Sequence, residues 1–291
     1  TKRFDATQPR LPQITDFLLR RVIRVVPLYW LALLYQNKRQ LVEGTINPQV
    51  AYDFLFIPRY SEWHPGLIWP SLVPGWTINY EMLFYSIFSA ALIFGRRRHM
   101  VLVLAIFILS FVGYVSEFTS PALKFWTSSI ILEFVMGIGV YWVTSRREYI
   151  PSRFLVIFAI IAGIFGLYFE ELHGLPRALI HGPFAAMIVW SAIYIGRWMP
   201  HQPWLHKIGD ASYSIYLVHQ FTFVISWKIC TRLNLSDAVA FNIISALAIQ
   251  TITATAIGLV VHQLIEKPLL AKLQHWWANA GRHRFARIKP A

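Results

Sequence analysis

The sequence predicts an all-α, polytopic integral membrane helix bundle with about eight spans, and three observations carry that prediction. Apolar residues fill 56% of the 291 positions and aromatics 16%, which leaves no polar stretch long enough for a soluble domain. Apolar runs recur at about 25–35, 77–95, 100–115, 126–144, 153–169, 178–196, 211–229 and 239–263, most of them near the length a bilayer requires. The cations between these runs are distributed unequally. With the N-terminus inside and the sides alternating, 20 of the 27 Lys and Arg fall on the inner side, and only Lys38, Arg39, Arg59, Lys124, Arg177, Lys228 and Arg232 fall outside. The acids divide evenly, so the formal charge of +13 is a signature of topology and calls for no nucleic acid.

Taken in order, residues 1–14 form a polar lead-in, and a helix is expected to start near Thr15 or Asp16, either of which can cap it. In DFLLRRVIRVVPLYW, Leu18, Leu19, Val22, Ile23 and Val26 make an apolar stripe while Arg20, Arg21 and Arg24 line the other side. Pro27 is expected to bend this helix into the bilayer, and the short run 25–35 has to borrow length from the Arg-bearing turn. The prolines and aromatics of 36–75 predict an irregular, partly ordered outer loop, with Trp63, Trp69 and Trp76 in the interfacial belt. A basic cytoplasmic tail is expected over 270–291, so that one membrane-embedded domain covers 1–291 with both termini cytoplasmic. Thr1 rather than Met begins the sequence and no signal-peptide pattern precedes the first span, so the chain reads as the continuation of a longer one.

Three clusters bear chemistry. Arg20, Arg21 and Arg24 are spaced so that their guanidinium groups share a helix side and can grip a pyrophosphate or nucleotide; orienting the span and touching anionic lipid is the other reading. The second cluster is Glu81 with Trp76, Tyr80 and Tyr85 in PGWTINYEMLFYSIFSAALIFG. A carboxylate within the membrane costs about 3 kcal/mol unless it faces protein or water, so Glu81 is either a working acid or base or a polar tie between helices. Thr77, Glu81 and Tyr85 share one helix face, and Asn79 points almost opposite Glu81. The third cluster is GDASYSIYLVHQ, in which Ser212, Tyr216 and His219 form a polar stripe. Seven residues rise about 10.5 Å in a straight helix, which excludes a Ser212 and His219 nucleophile pair. Glu133, His181 and His262 are weaker signals, and Glu133 is expected to find a histidine partner on another helix if it pairs at all. Cys230 is the single cysteine, which excludes an intrachain disulfide, and no metal-ligand spacing, phosphate-binding glycine loop or GxSxG is present.

In this order FLLRRVIRVVPLYW, GWTINYEMLFY, GDASYSIYLVH and IEKPL resemble the membrane-bound acyltransferase-3 family, and GWTINYEMLFY is similar to the exopolysaccharide O-acetyltransferases of the succinoglycan type within it. The resemblance implies a ten-helix bundle in a bacterial inner membrane. It also implies acetyl-CoA or another acyl-CoA as co-substrate, no bound cofactor, and a glycan or lipid-linked oligosaccharide acceptor reached from the outer side. By position it implies donor binding by Arg21 and Arg24, with Arg20 beside them, and catalysis by Glu81 and His219. Acceptor contacts fall to Trp76, Asn79, Tyr80, Tyr85, Ser212, Tyr213 and Tyr216. The family's first two spans, with an Arg followed eleven positions later by the presumed catalytic histidine, have no counterpart here, so the chain lacks the family's base; either those spans belong to a longer chain or this protein is a degenerate member without acyl transfer. A non-catalytic carrier that passes a glycan lipid across the bilayer is the competing class, distinguished by whether acetyl label appears on the glycan.

Overall fold

The computed structural model describes residues 10–145, 150–168, 176–232 and 239–286. All regular structure among them is helical. The helices are α1 (Arg10–Gln36), α2 (Lys38–Glu43), α3 (Val50–Phe54), α4 (Gly75–Ala91), α5 (Arg98–Val115), α6 (Pro121–Trp126) and α7 (Leu132–Ser145), followed by α8 (Arg153–Gly166), α9 (Arg177–Trp198), α10 (Pro203–Asp210), α11 (Ser212–Arg232), α12 (Val239–Val261) and α13 (Lys267–Ala286). They form two compact units, Tyr80–Gln202 in one, and Leu11–Asn79 with the described residues from Pro203 onward in the other.

Among the described residues four runs are long and apolar enough to cross a membrane: Gly75–Val115, Pro121–Ser145, Arg177–Trp198 and Ile243–Asn279. The first is 41 residues, about 60 Å if straight and twice a bilayer core. Gly95 interrupts it, taking φ 57° and ψ −113° between α4 and α5, a conformation that a residue without Cβ adopts freely. The remaining expected spans fall short of the same test for physical reasons. Arginines 20, 21 and 24 dilute α1, α8 is only 14 residues long, and α11 carries hydroxyls, His219 and Gln220 along its length. Leu104, Phe107, Phe111, Ile161 and Leu247 are each more than half exposed on helices α5, α8 and α12. Such surfaces suit hydrocarbon rather than water, and the protein is a membrane protein.

One local expectation is corrected. Helix α1 is already running at Arg10, so neither Thr15 nor Asp16 caps it; Thr15 Oγ1 donates back to the Leu11 carbonyl at 2.8 Å and Asp16 pairs with Arg20. Pro12 sits where the first helical N–H groups have no acceptor, so it costs the helix nothing. Helix α1 also continues through Pro27 to Gln36. The basic tail is helical as far as Ala286, and its residues 287–291, like 1–9 of the lead-in, lie outside the described residues. Between α12 and α13, His262–Glu266 form a π turn. It comes immediately before Pro268, whose ring excludes the ordinary bond to the Leu264 carbonyl.

Residues 36–75 are ordered by a buried ion pair. Asp53 is 1% exposed, and its two carboxylate oxygens accept from Arg59 Nε at 2.9 Å and Nη2 at 3.0 Å. Asp53 Oδ2 also accepts from the Ser71 backbone N–H at 2.8 Å, while Arg59 Nη1 reaches Glu62 at 3.0 Å. Asn37 donates to Ser71 Oγ and to the Leu33 carbonyl, and Trp30 Nε1 donates to the Phe54 carbonyl, so the segment is fastened to the end of α1. Burial works against the Arg59 charge, but the hydrogen bond and charge of Asp53, aided by Glu62, outweigh it and hold the guanidinium above its ordinary range. Arg59→Ala strands the Asp53 carboxylate and is expected to cost about 3–5 kcal/mol. Thermal unfolding of the detergent-purified protein measures this, and an unchanged midpoint would show that the pair does not hold the segment.

Candidate functional site

In the unit 80–202, Tyr80 and Glu81 leave α4 on different sides. The Tyr80 ring is 4% exposed and stacks on Phe125 with centroids 3.8 Å apart, and its hydroxyl bonds Ser128 within the electrostatic reach of Glu133 and Arg177. Glu81 is half-buried and accepts a hydrogen bond from the hydroxyl of Tyr85, one turn further along the same face. A carboxylate in this setting keeps one oxygen committed to the helix and the other available. Glu133, expected to seek a histidine, has no such pair among the described residues. It lies beside Gly182, where a Cβ would meet Met136 Sδ at 2.4 Å.

In the other unit, α11 is helical from Ser212 to Arg232, as the 10.5 Å argument requires. Ser212 is exposed at its first position. The Tyr213 hydroxyl donates to the Val25 carbonyl at 2.7 Å, fastening α11 to α1 one residue past Arg24. Tyr216 Oη donates to the Pro74 carbonyl at 2.8 Å and lies 2.5 Å from Thr77 Oγ1. His219 Nδ1 contacts the Tyr216 carbonyl at 2.5 Å. A carbonyl can only accept, so this network assigns the proton to Nδ1 and leaves the Nε2 lone pair as the basic site of the neutral ring. Gln250 on α12 donates to the His219 carbonyl at 2.8 Å and to Thr222 Oγ1 at 3.0 Å, and Ser226 meets Thr253 at 2.7 Å. These polar ties, with Gly258 packed directly on the Ile215 backbone, bring α11 and α12 into close contact.

The three arginines differ in what they already touch. Arg20 pairs with Asp16 at 2.8 Å, and Arg21 lies over the Phe17 ring at 5.4 Å. Arg24 is exposed and makes no ion pair among the described residues, which leaves its fork open to a phosphate. Trp76 is half-buried. Asn79 is 3% exposed, and its Oδ1 has no hydrogen-bond partner among the described residues. Such an atom is rare in a native fold, and Tyr29, Ser191, Gln220 and Gln250 each carry another among the described residues.

One constellation went unread in the sequence. Glu266, 3% exposed, accepts from Ser214 Oγ at 2.6 Å and meets His262 Nδ1 at 2.8 Å, both at Oε2. The His262 and Glu266 spacing of four residues, ending in the IEKPL stretch, was the available signal; the Ser214 contact, 52 residues away, left none.

The acyltransferase domain pattern matches residues 7–263. This chain belongs to the acyltransferase-3 family. The acyltransferase is 32% identical over 288 residues to the exopolysaccharide production protein ExoZ of Rhizobium meliloti (strain 1021), a similarity covering 91% of this chain and 84% of that one. No solved structure matches the acyltransferase. Among the described residues no group of three or more His, Cys, Asp and Glu side chains can hold a metal ion.

Glu266→Ala leaves a half-buried imidazole and a buried hydroxyl without their acceptor and is expected to destabilise the acyltransferase by about 2 kcal/mol, against about 1 kcal/mol for Ser214→Ala. Thermal unfolding compares the two, and the order reversed would mean that the carboxylate is not the hub.

Proposed function

We propose that the protein transfers an acetyl or other short acyl group from acyl-CoA to hydroxyls of an exported polysaccharide or of its lipid-linked precursor. The observation that carries this reading is the similarity, over most of both chains, to a protein named for exopolysaccharide production, in a chain of the acyltransferase-3 family. In this reading the enzyme crosses a bacterial inner membrane about eight times with both termini cytoplasmic, supported by the Lys and Arg asymmetry. Arg24 and Arg21, with Arg20 beside them, hold the phosphates of acetyl-CoA or another acyl-CoA on the cytoplasmic side.

The chemistry is attack of a sugar hydroxyl on a thioester. The hydroxyl oxygen bonds to the carbonyl carbon, the proton leaves to a base, and collapse of the tetrahedral intermediate breaks the C–S bond; the CoA thiolate then takes up the proton. His219 Nε2 suits the base, since Nδ1 is held by the Tyr216 carbonyl. Glu81, steadied by Tyr85, suits an acid or an acceptor of a sugar hydroxyl. Trp76, Asn79, Tyr80, Tyr85, Ser212, Tyr213 and Tyr216 are assigned to the acceptor, as partners of sugar hydroxyls or supports of those that are.

Membranes carrying the full-length protein are expected to move radiolabel from acetyl-CoA to glycan. His219→Ala is expected to lower kcat by about 10²–10⁴-fold with the donor KM unchanged. Glu81→Gln is expected to abolish measurable transfer without lowering the unfolding temperature. Arg24→Ala is expected to raise the acyl-CoA KM by about tenfold or more with kcat retained. Glycan that changes sides of the membrane without acquiring label would favour the carrier reading, and wild-type rates in all three variants would remove the site assignment.

A further inference from the structure

Glu266 is buried, and one of its oxygens, Oε2, takes two donors, Ser214 Oγ at 2.6 Å and His262 Nδ1 at 2.8 Å. Two donors on one oxygen fit an ionised carboxylate, and they place the proton of the neutral ring on Nδ1. Nε2 has no hydrogen-bond partner among the described residues, and the His262 side chain keeps 13% of its surface open. The roles given to Glu81 and His219 leave this nitrogen unused. Both members of the pair belong to the π turn His262–Glu266, a backbone form that recurs at functional sites.

The pair lies beside the donor grip. Tyr213 and Ser214 are consecutive on α11; the Tyr213 hydroxyl donates to the Val25 carbonyl at 2.7 Å, one residue past Arg24, while Ser214 reaches Glu266. One turn of α11 therefore joins the stretch of α1 that carries the exposed Arg24 to the open imidazole, within a single unit. Acyl-CoA has its phosphates and its sulfur at opposite ends of a flexible pantetheine arm. Such a donor needs a cation at one end and a source of protons at the other, because its leaving group is a basic thiolate. The bond from Ser214 to Glu266 is enough to tie α11 to the end of α12; the imidazole adds an edge that can carry a proton.

We propose that His262 is the proton donor to the departing CoA thiolate and that Glu266 positions it. His219 removes the proton from the sugar hydroxyl. As the tetrahedral intermediate collapses, the electron pair of the C–S bond goes to sulfur, the N–H bond at Nε2 of protonated His262 breaks, and its proton joins sulfur as the CoA thiol. The Glu266 carboxylate faces the charge that the ring carries before this step. Water recharges Nε2, and His219 returns its own proton to water, so one proton is consumed and one released per turnover. The inference rests on the acyltransferase reading, in which the end of α12 lies on the cytoplasmic face with the donor.

The test uses the full-length protein in nanodiscs with labelled acetyl-CoA and glycan. His262→Ala is expected to lower kcat by about 10²-fold with the acetyl-CoA KM unchanged. Added imidazole is expected to restore the rate, and pyrazole, which has the same shape but is too weak a base to hold the proton, is not. Restoration by both, or by neither, overturns the proposal. Glu266→Gln, which keeps an oxygen for the two donors, is expected to lower kcat by about tenfold with KM and the unfolding midpoint unchanged. A lowered midpoint with kcat retained overturns the positioning role. On the wild-type protein, CoA alone is expected to shield His262, and not the exposed His275, from diethyl pyrocarbonate, as read by mass spectrometry. Equal modification of His262 with and without CoA overturns the proposal even where a variant fails to fold. Wild-type protein that moves no label to glycan overturns the acyltransferase reading as well; transfer by His262→Ala at the wild-type rate overturns the His262 assignment alone.

Discussion

Hydrocarbon supplies no hydrogen bonds, so a polar side chain within these helices depends on the protein for its partners, with Asn79 Oδ1 an exception among the described residues. That requirement explains most of the specific contacts. Tyr85 serves Glu81, Thr77 and the Pro74 carbonyl serve Tyr216, Gln250 serves Thr222 and the His219 carbonyl, and Ser214 with His262 serve Glu266. Each tie fixes a rotamer as well as meeting a donor or acceptor. The groups suited to proton transfer are therefore held in defined tautomers and directions before any substrate arrives, the condition under which an acid or base acts efficiently.

What could be read from the sequence was whatever depends on neighbours within one helix. The helical character, the shared face of Glu81 and Tyr85, the rise separating Ser212 from His219, and the end of a helix at Gly95 all follow from local periodicity and from glycine's freedom at positive φ. What could not be read depends on tertiary partners. The prolines of residues 36–75 predict an irregular, partly ordered loop, but not that Asp53, Arg59 and Ser71 meet across gaps of 6 and 18 residues to supply its order. The Ser214 and Glu266 contact is likewise invisible to any window of a helix turn or two. Five of the eight expected spans correspond to the four clear runs, two of them to Gly75–Val115, and the other three fall short because polar residues interrupt the apolar signal of α1 and α11 and because α8 is short.

The polar groups singled out in the sequence divide between the two units. One holds the arginines, the tyrosine and histidine stripe of α11 and the buried carboxylate at Glu266; the other holds Glu81 and Tyr80. Within each, aromatic stacking and small-residue contacts set the spacing of the helices. Phe84 on Phe134 at 4.6 Å and Gly182 beneath Met136 do so in one, and Gly258 on Ile215 does so in the other.

The break at Gly95 has a consequence for biogenesis. Arg96, Arg97 and Arg98 follow it directly, and dragging each guanidinium through the bilayer centre costs about 2.5–3.5 kcal/mol. A turn that carries three arginines therefore resists passage through hydrocarbon, and the two apolar arms flanking it cross the bilayer, if at all, as separate segments rather than as one 41-residue span.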